Sequence, residues 1–459
     1  MRKTFFSDFF DVDKEVMKKH GVFNISLIAD TPAFIDPFNL YCSPNKSYQE
    51  AHRGIIEYVK FLCQISKSKG NVQELKKKYF YFKEPSQNWL GYTQYGNAGN
   101  GLRQTFADSL FENMSKYMQN FGYEEITDSS HIEKLCLFDE GFSMDSVSDF
   151  TTRLIYPFLL AYTENFSRKY IDRKYCKTHM VENAYFDFQK KEWCSKEYYL
   201  PTFKDDYIIL VPEDILVHNE LFICRSGLVE YLKYAKFSGT NSKFVDHINE
   251  YISDIISEDL SAEEKKKKLN QLIREYPIVL DYYIKSCEER SAEAIVKNQK
   301  LVDELNQIFN INCKALIGLL QFQSDFYKYD DIDDIATIIK RLNILKDTLE
   351  TPDGTQLLYL NGKPIKTDFL EMLFNRVWFA GKPKEATKQF VPYNLEFKCA
   401  VNSPIEDNLY NRFIKSDNKI NILCYVYFTE DQHKRLVDAL NKLKLTKNEN
   451  IILINAITV

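Results

Sequence analysis

Asn394-Leu395-Glu396-Phe397-Lys398-Cys399-Ala400 is a short apolar run interrupted by one carboxylate and, two residues on, one lysine. Successive strand side chains alternate faces, so Glu396 and Lys398 point one way and Leu395, Phe397 and Cys399 the other. Upstream, Lys366 to Phe379 (KTDFLEMLFNRVWF) carries Phe369, Leu370, Leu373, Phe374, Val377 and Trp378 at helical spacing. Downstream, a helix is expected from Ile405 to Lys415 and an apolar strand from Ile420 to Phe428, with Thr429 as the N-cap of a helix over Glu430 to Leu443. A last strand is expected over Ile451 to Ile454. Strands alternating with helices predict a parallel or mixed sheet covered by helices, and near-continuous apolar runs such as NILCYVYF fit buried parallel strands.

The chain has 459 residues, 44% of them hydrophobic and 15% aromatic, which is enough for two to four domains. Its net charge of −5 argues against a surface that coats nucleic acid as a whole, while leaving room for a local basic patch. Ten cysteines and seven histidines are scattered without C-x-x-C or paired spacing, which argues against structural zinc. No signal peptide and no long apolar run is present, so a cytoplasmic, reduced protein without membrane contact is expected.

Residues 1–175 read as a mixed α/β region. Val22 to Ala29 and Thr31 to Asp36 are expected as strands, followed by helices over Tyr48 to Ser66, Val72 to Tyr79 and Leu102 to Phe121. The Gly91 to Gly101 segment lacks both the P-loop lysine and the dinucleotide-binding glycine order, and reads as a connection more than as a phosphate cradle. His131 to Phe138 reads as a strand and Val147 to Arg168 as one helix. Asp139, Glu140, Asp145 and Asp149 either cap that helix or gather around a metal, and capping is the simpler account. Asp30 and Asp36 read as turn formers. Residues 176–240 begin as an antiparallel meander, and residues 241–350 are helical and highly charged, a possible surface for a protein partner or a second copy. The junction to residues 351–459 is placed at Thr351-Pro352-Asp353-Gly354. The whole is thus an α+β multi-domain chain.

The order of the last hundred residues resembles the C-terminal half of the PD-(D/E)xK restriction-endonuclease-like superfamily, and in particular nuclease domains of bacterial phage-defence and restriction proteins. The resemblance rests on Glu396-Phe397-Lys398-Cys399-Ala400 and on Leu423-Cys424-Tyr425-Val426-Tyr427-Phe428-Thr429. It implies a mixed sheet and phosphodiester hydrolysis by water activated on Mg²⁺. On it, Glu396 is a metal ligand, Lys398 orients the water or stabilises phosphate charge, and Glu371 matches an acid that some members place on the preceding helix. The aspartate that the superfamily carries upstream is missing: between Phe379 and Glu396 the only acid is Glu385. Either Glu385 or Asp368 replaces it as a ligand, or the site has decayed and the chain is a structural or recognition subunit. Lys382, Lys384 and Lys388, with Lys363, Lys366 and Arg376, make this window locally basic and suited to nucleic-acid phosphates, with DNA the expected partner ahead of RNA.

Overall fold

The computed structural model describes residues 2–92, 102, 104–138, 141–235, 242–257, 260–329, 335–381, 393–400, 405–415 and 420–458. Its architecture is mixed α+β, mainly helical, with several small sheets. Near the start, Asp36 N-caps helix α1 (Pro37–Cys42) through the Phe38 N–H, and Asn45 caps α2 (Lys46–Ser66). In α2 the buried residues Tyr48, His52, Ile55, Val59, Leu62 and Ser66 recur at three- and four-residue intervals, which sets one face into the core. Val22 to Ala29 forms only isolated bridges, and Phe34–Ile35 is the one short strand of this stretch.

Two further expectations change. The Val147 to Arg168 helix is two helices, α3 (Met144–Leu154) and α4 (Tyr156–Tyr170), with Pro157 in the first turn of the second. Proline lacks the N–H needed inside a helix but is tolerated in its first turn. His131 to Phe138 is a turn followed by a helix, Lys134–Phe138, rather than a strand. Charged side chains are buried here beside the apolar ones: His131 lies against Glu288 and Lys134 donates to Asp281, both on a distant helix.

The meander is as expected. Strands β1 (Cys176–Asp187) and β2 (Glu192–Phe203) pair antiparallel, with Asp206–Tyr207 as a third strand. Asp187 Oδ1 accepts the N–H groups of Gln189 and Lys190 and so closes the turn. Helix α5 (Arg225–Tyr234) follows, then a helical stretch that includes Ala262–Glu275, N-capped by Ser261, α6 (Ile278–Glu289) and α7 (Ser291–Leu305).

At the C-terminal end, α8 (Thr367–Trp378), β3 (Tyr393–Cys399), α9 (Ile405–Leu409), β4 (Ile420–Tyr427), α10 (Glu430–Lys442) and β5 (Ile451–Asn455) alternate as the sequence predicts. Thr429 caps α10 through the Gln432 N–H. The mixed sheet expected from the resemblance is, among the described residues, three parallel strands with β4 in the centre. One face carries Phe397, Cys399, Cys424, Val426, Ile452 and Ile454 into a core cluster that also holds Phe5, Leu62, Leu320 and Trp378. The other face, with Leu423, Tyr425 and Tyr427, packs on α9 and α10. A single apolar cluster thus runs through residues on both sides of Thr351–Gly354.

Candidate functional site

Strand β3 lies at the edge of the parallel sheet, and its alternation is as read from the sequence. Phe397 and Cys399 are buried, while Glu396 and Lys398 lie on the opposite face, in register with Leu423 and Tyr425 of β4. Helix α8 holds this edge by packing Phe374 edge-on against Phe397, with ring centroids 4.9 Å apart. From the same helix Glu371 reaches Lys398.

Among the described residues, four charged side chains meet here. Lys398 Nζ lies 2.8 Å from Glu371 Oε1 and 3.8 Å from Glu396 Oε2. Glu396 Oε1 is in turn ion-paired with the Arg412 guanidinium. Arg412 comes from a widened helical turn, Tyr410–Ile414, whose position is fixed by Asn421 Nδ2 donating to the Arg412 carbonyl at 2.6 Å. Burial pushes the Lys398 ammonium down, but the Glu371 hydrogen bond and the charges of Glu371 and Glu396 outweigh it and leave the pKa above that of an ordinary lysine. Lys398 is therefore a fixed cation at neutral pH, poor as a general base and well placed to neutralise carboxylates.

This arrangement can be tested against the Mg²⁺ that the resemblance implies. Mg²⁺ takes carboxylate oxygens and keeps several waters in an octahedral shell. Here two carboxylates converge, and two cations already neutralise them. Among the described residues no three His, Cys, Asp or Glu side chains are placed to hold a metal ion. Asp368 lies in the first turn of α8, and Glu385 lies outside the described residues. As described, Glu371, Glu396, Lys398 and Arg412 do not fit a resident divalent cation.

The other candidates separate. Lys382, Lys384 and Lys388 lie outside the described residues, as do Asp139 and Glu140. Arg376, counted as part of the basic window, is fully buried and takes no part in a surface patch. Lys366 is exposed and donates to Asn219 Oδ1 at 2.9 Å. Ser143, not an acid, caps α3 in a reciprocal box with Ser146. Asp149 is buried one turn further on, and burial, then the charges of Asp145, Glu84 and Asp30, push its carboxyl well above the usual range. Among the described residues it joins no group of acids placed to hold a metal ion.

Arg412 is the site residue that the sequence reading missed. Its only local signal is an arginine within an expected helix. Its role depends on the β3–α9–β4 crossover folding that turn back over the E-x-K strand.

A family model described as a domain of unknown function (DUF8370) matches residues 11–224 and so does not reach this site. Neither a curated protein nor a solved structure matches the chain.

Proposed function

We propose that the C-terminal unit is a nuclease-like domain that binds nucleic acid through its backbone and does not cleave it, within a protein of the bacterial defence class that the resemblance points to. The observation that carries this reading is the ion-pair set on the strand edge. Lys398 pairs with Glu371 and Glu396, and Arg412 pairs with Glu396, which commits Glu396 to cations where a nuclease would need it open. Contacts to phosphate fall to Lys382, Lys384 and Lys388, between α8 and β3, and such contacts give affinity without reading sequence. Duplex DNA is the partner of first choice.

A second reading is favoured by one feature of the same geometry. The three residues implied by the resemblance, Glu371, Glu396 and Lys398, are brought together although 25 residues separate the helical acid from the strand acid in sequence. On this reading the chain is a metal-dependent endonuclease in which Arg412 must leave Glu396 before Mg²⁺ enters.

One experiment separates the two. Duplex DNA, single-stranded DNA and RNA are incubated with the full chain in EDTA, Mg²⁺ or Mn²⁺, and both retention and cleavage are read. Binding equal in EDTA and Mg²⁺, with no cleavage, is expected. The triple variant Lys382→Gln, Lys384→Gln and Lys388→Gln should flatten the salt dependence by about 0.9 in log–log slope per lost phosphate contact. Mg²⁺-dependent cleavage that disappears in both Glu396→Ala and Lys398→Ala would establish the second reading instead. No binding to any of the three nucleic acids would defeat both.

A further inference from the structure

We infer that the cavity between α5, α6 and the start of α7 is a binding site for a nucleoside monophosphate. The cavity measures about 400 Å³, within the ~300–1,000 Å³ usual for small-molecule sites. It lies far along the chain from the C-terminal unit and does not depend on the function proposed for it.

Its aromatic wall is preformed. Phe222 stacks on the buried Phe38 with ring centroids 5.1 Å apart and planes within 4°, and its N–H donates to the buried Asp36 at 2.8 Å. Behind this wall Tyr283 is fully buried and fixed: its hydroxyl accepts the Cys224 N–H and donates to the Cys224 carbonyl. Gly227 makes this close approach possible, because a Cβ there would lie 2.4 Å from the Tyr283 hydroxyl. A site whose walls are held by such bonds loses little freedom on binding.

The rim carries both signs of charge. Two cations stand at Phe222, with Arg290 Cζ 5.7 Å and Lys297 Nζ 5.9 Å from the ring centroid. Lys297 has no carboxylate at ion-pair distance among the described residues, and Arg290 has only the exposed Glu293, at 3.8 Å. Two acids also line the cavity: Glu220, which accepts from the Ser226 hydroxyl, and Glu230, which is ion-paired with Lys233. The ligand complementary to this lining has a planar ring for the aromatic wall, an anion for Arg290 and Lys297, and hydroxyl or amino donors for Glu220. A nucleoside monophosphate has all three. An aromatic amino acid has them too, but its bulk is smaller than the cavity.

The test is calorimetric titration of the full chain with AMP, GMP, CMP and UMP, beside adenosine, inorganic phosphate and tryptophan. Cys224, which lines the cavity and forms no disulfide, reports location through its rate of alkylation by iodoacetamide, read by peptide mapping. We expect at least one nucleotide to bind about tenfold more tightly than adenosine or phosphate and to slow Cys224 alkylation. Lys297→Gln and Arg290→Gln, both at exposed positions, should each weaken binding about fivefold or more. No nucleotide binding at millimolar concentration overturns the inference, as does equal binding of adenosine or preferential binding of tryptophan. Nucleotide binding that neither variant weakens, and that leaves Cys224 equally reactive, overturns it too.

Discussion

Arg376→Ala is expected to destabilise the chain by about 3–5 kcal/mol, the range for opening a large cavity or stripping partners from a buried charged group. Arg376 is fully buried in the last turn of α8. Its Nη1 donates to the Met372 carbonyl at 3.0 Å, while Nη2 donates to the Asp30 carbonyl and to Thr31 Oγ1. Its guanidinium also lies 4.4 Å from the centroid of Phe309. Burial brings its pKa down to about 10, so it stays charged at neutral pH. One side chain thus joins the N-terminal segment, the helical middle and the C-terminal helix. Arg376→Met, which restores much of the volume, should recover part of the loss and leave the cost of an undonated Asp30 carbonyl, about 1–3 kcal/mol. Urea denaturation with a single cooperative transition checks both. A shift for Arg376→Ala within about 0.5 kcal/mol of the native chain, the size usual for surface substitutions, would show that this link does not hold the segments together.

Glu133→Gln is expected to raise stability, and to raise it more the higher the pH. Glu133 and Asp36 are both completely buried and face each other as carboxyl groups. Asp36 accepts the N–H groups of Phe38 and Phe222, which favours its charged form, although burial still raises its pKa. Glu133 has no hydrogen bond of good geometry at either oxygen, and burial, followed by the charge of Asp36, pushes it well above the carboxylate range. The folded state therefore holds a proton that the unfolded chain releases near pH 4.3. The sign follows: a raised folded pKa means stability present at low pH and lost as pH rises from the unfolded value through the folded one. Glutamine keeps the shape and removes the ionisation. The two proteins should melt alike near pH 4, and the variant should lead at pH 8 by about 1–3 kcal/mol, the scale of an uncompensated buried polar group. Melting curves across that range decide it; a gap that does not widen with pH would mean Glu133 is not protonated in the fold.

These two positions show where a sequence stops being legible. From α8 to β5 the described helices and strands followed from local pattern, whereas the helix Pro352–Gln356 and the short strands Tyr359–Leu360 and Lys363–Pro364 did not. Apolar residues at helical spacing gave α8, continuous apolar runs gave β4 and β5, Thr429 marked the start of α10, and period-two alternation assigned Glu396 and Lys398 to one face. All of these are short-range regularities, and short-range sterics and solvation enforce them. His131 to Phe138 failed by the same logic. Its apolar residues read as a strand, but Lys134 pairs with Asp281 and His131 Nε2 lies 2.9 Å from Glu288 Oε1, so partners about 150 residues away fix the backbone as a helix. Arg376 was read as surface charge and is core, because what buries it comes from Asp30, Thr31 and Phe309.

What the sequence by itself determined, then, is the alternation of helices and strands at the C-terminal end and the shared face of Glu396 and Lys398. What only the tertiary structure decided is what those two residues face. Glu371 arrives from a helix packed on the strand edge, and Arg412 from a crossover turn pinned by Asn421. The physical reason is that backbone periodicity is set within a few residues, whereas charge compensation is set by whichever side chains the packed chain brings within about 4 Å.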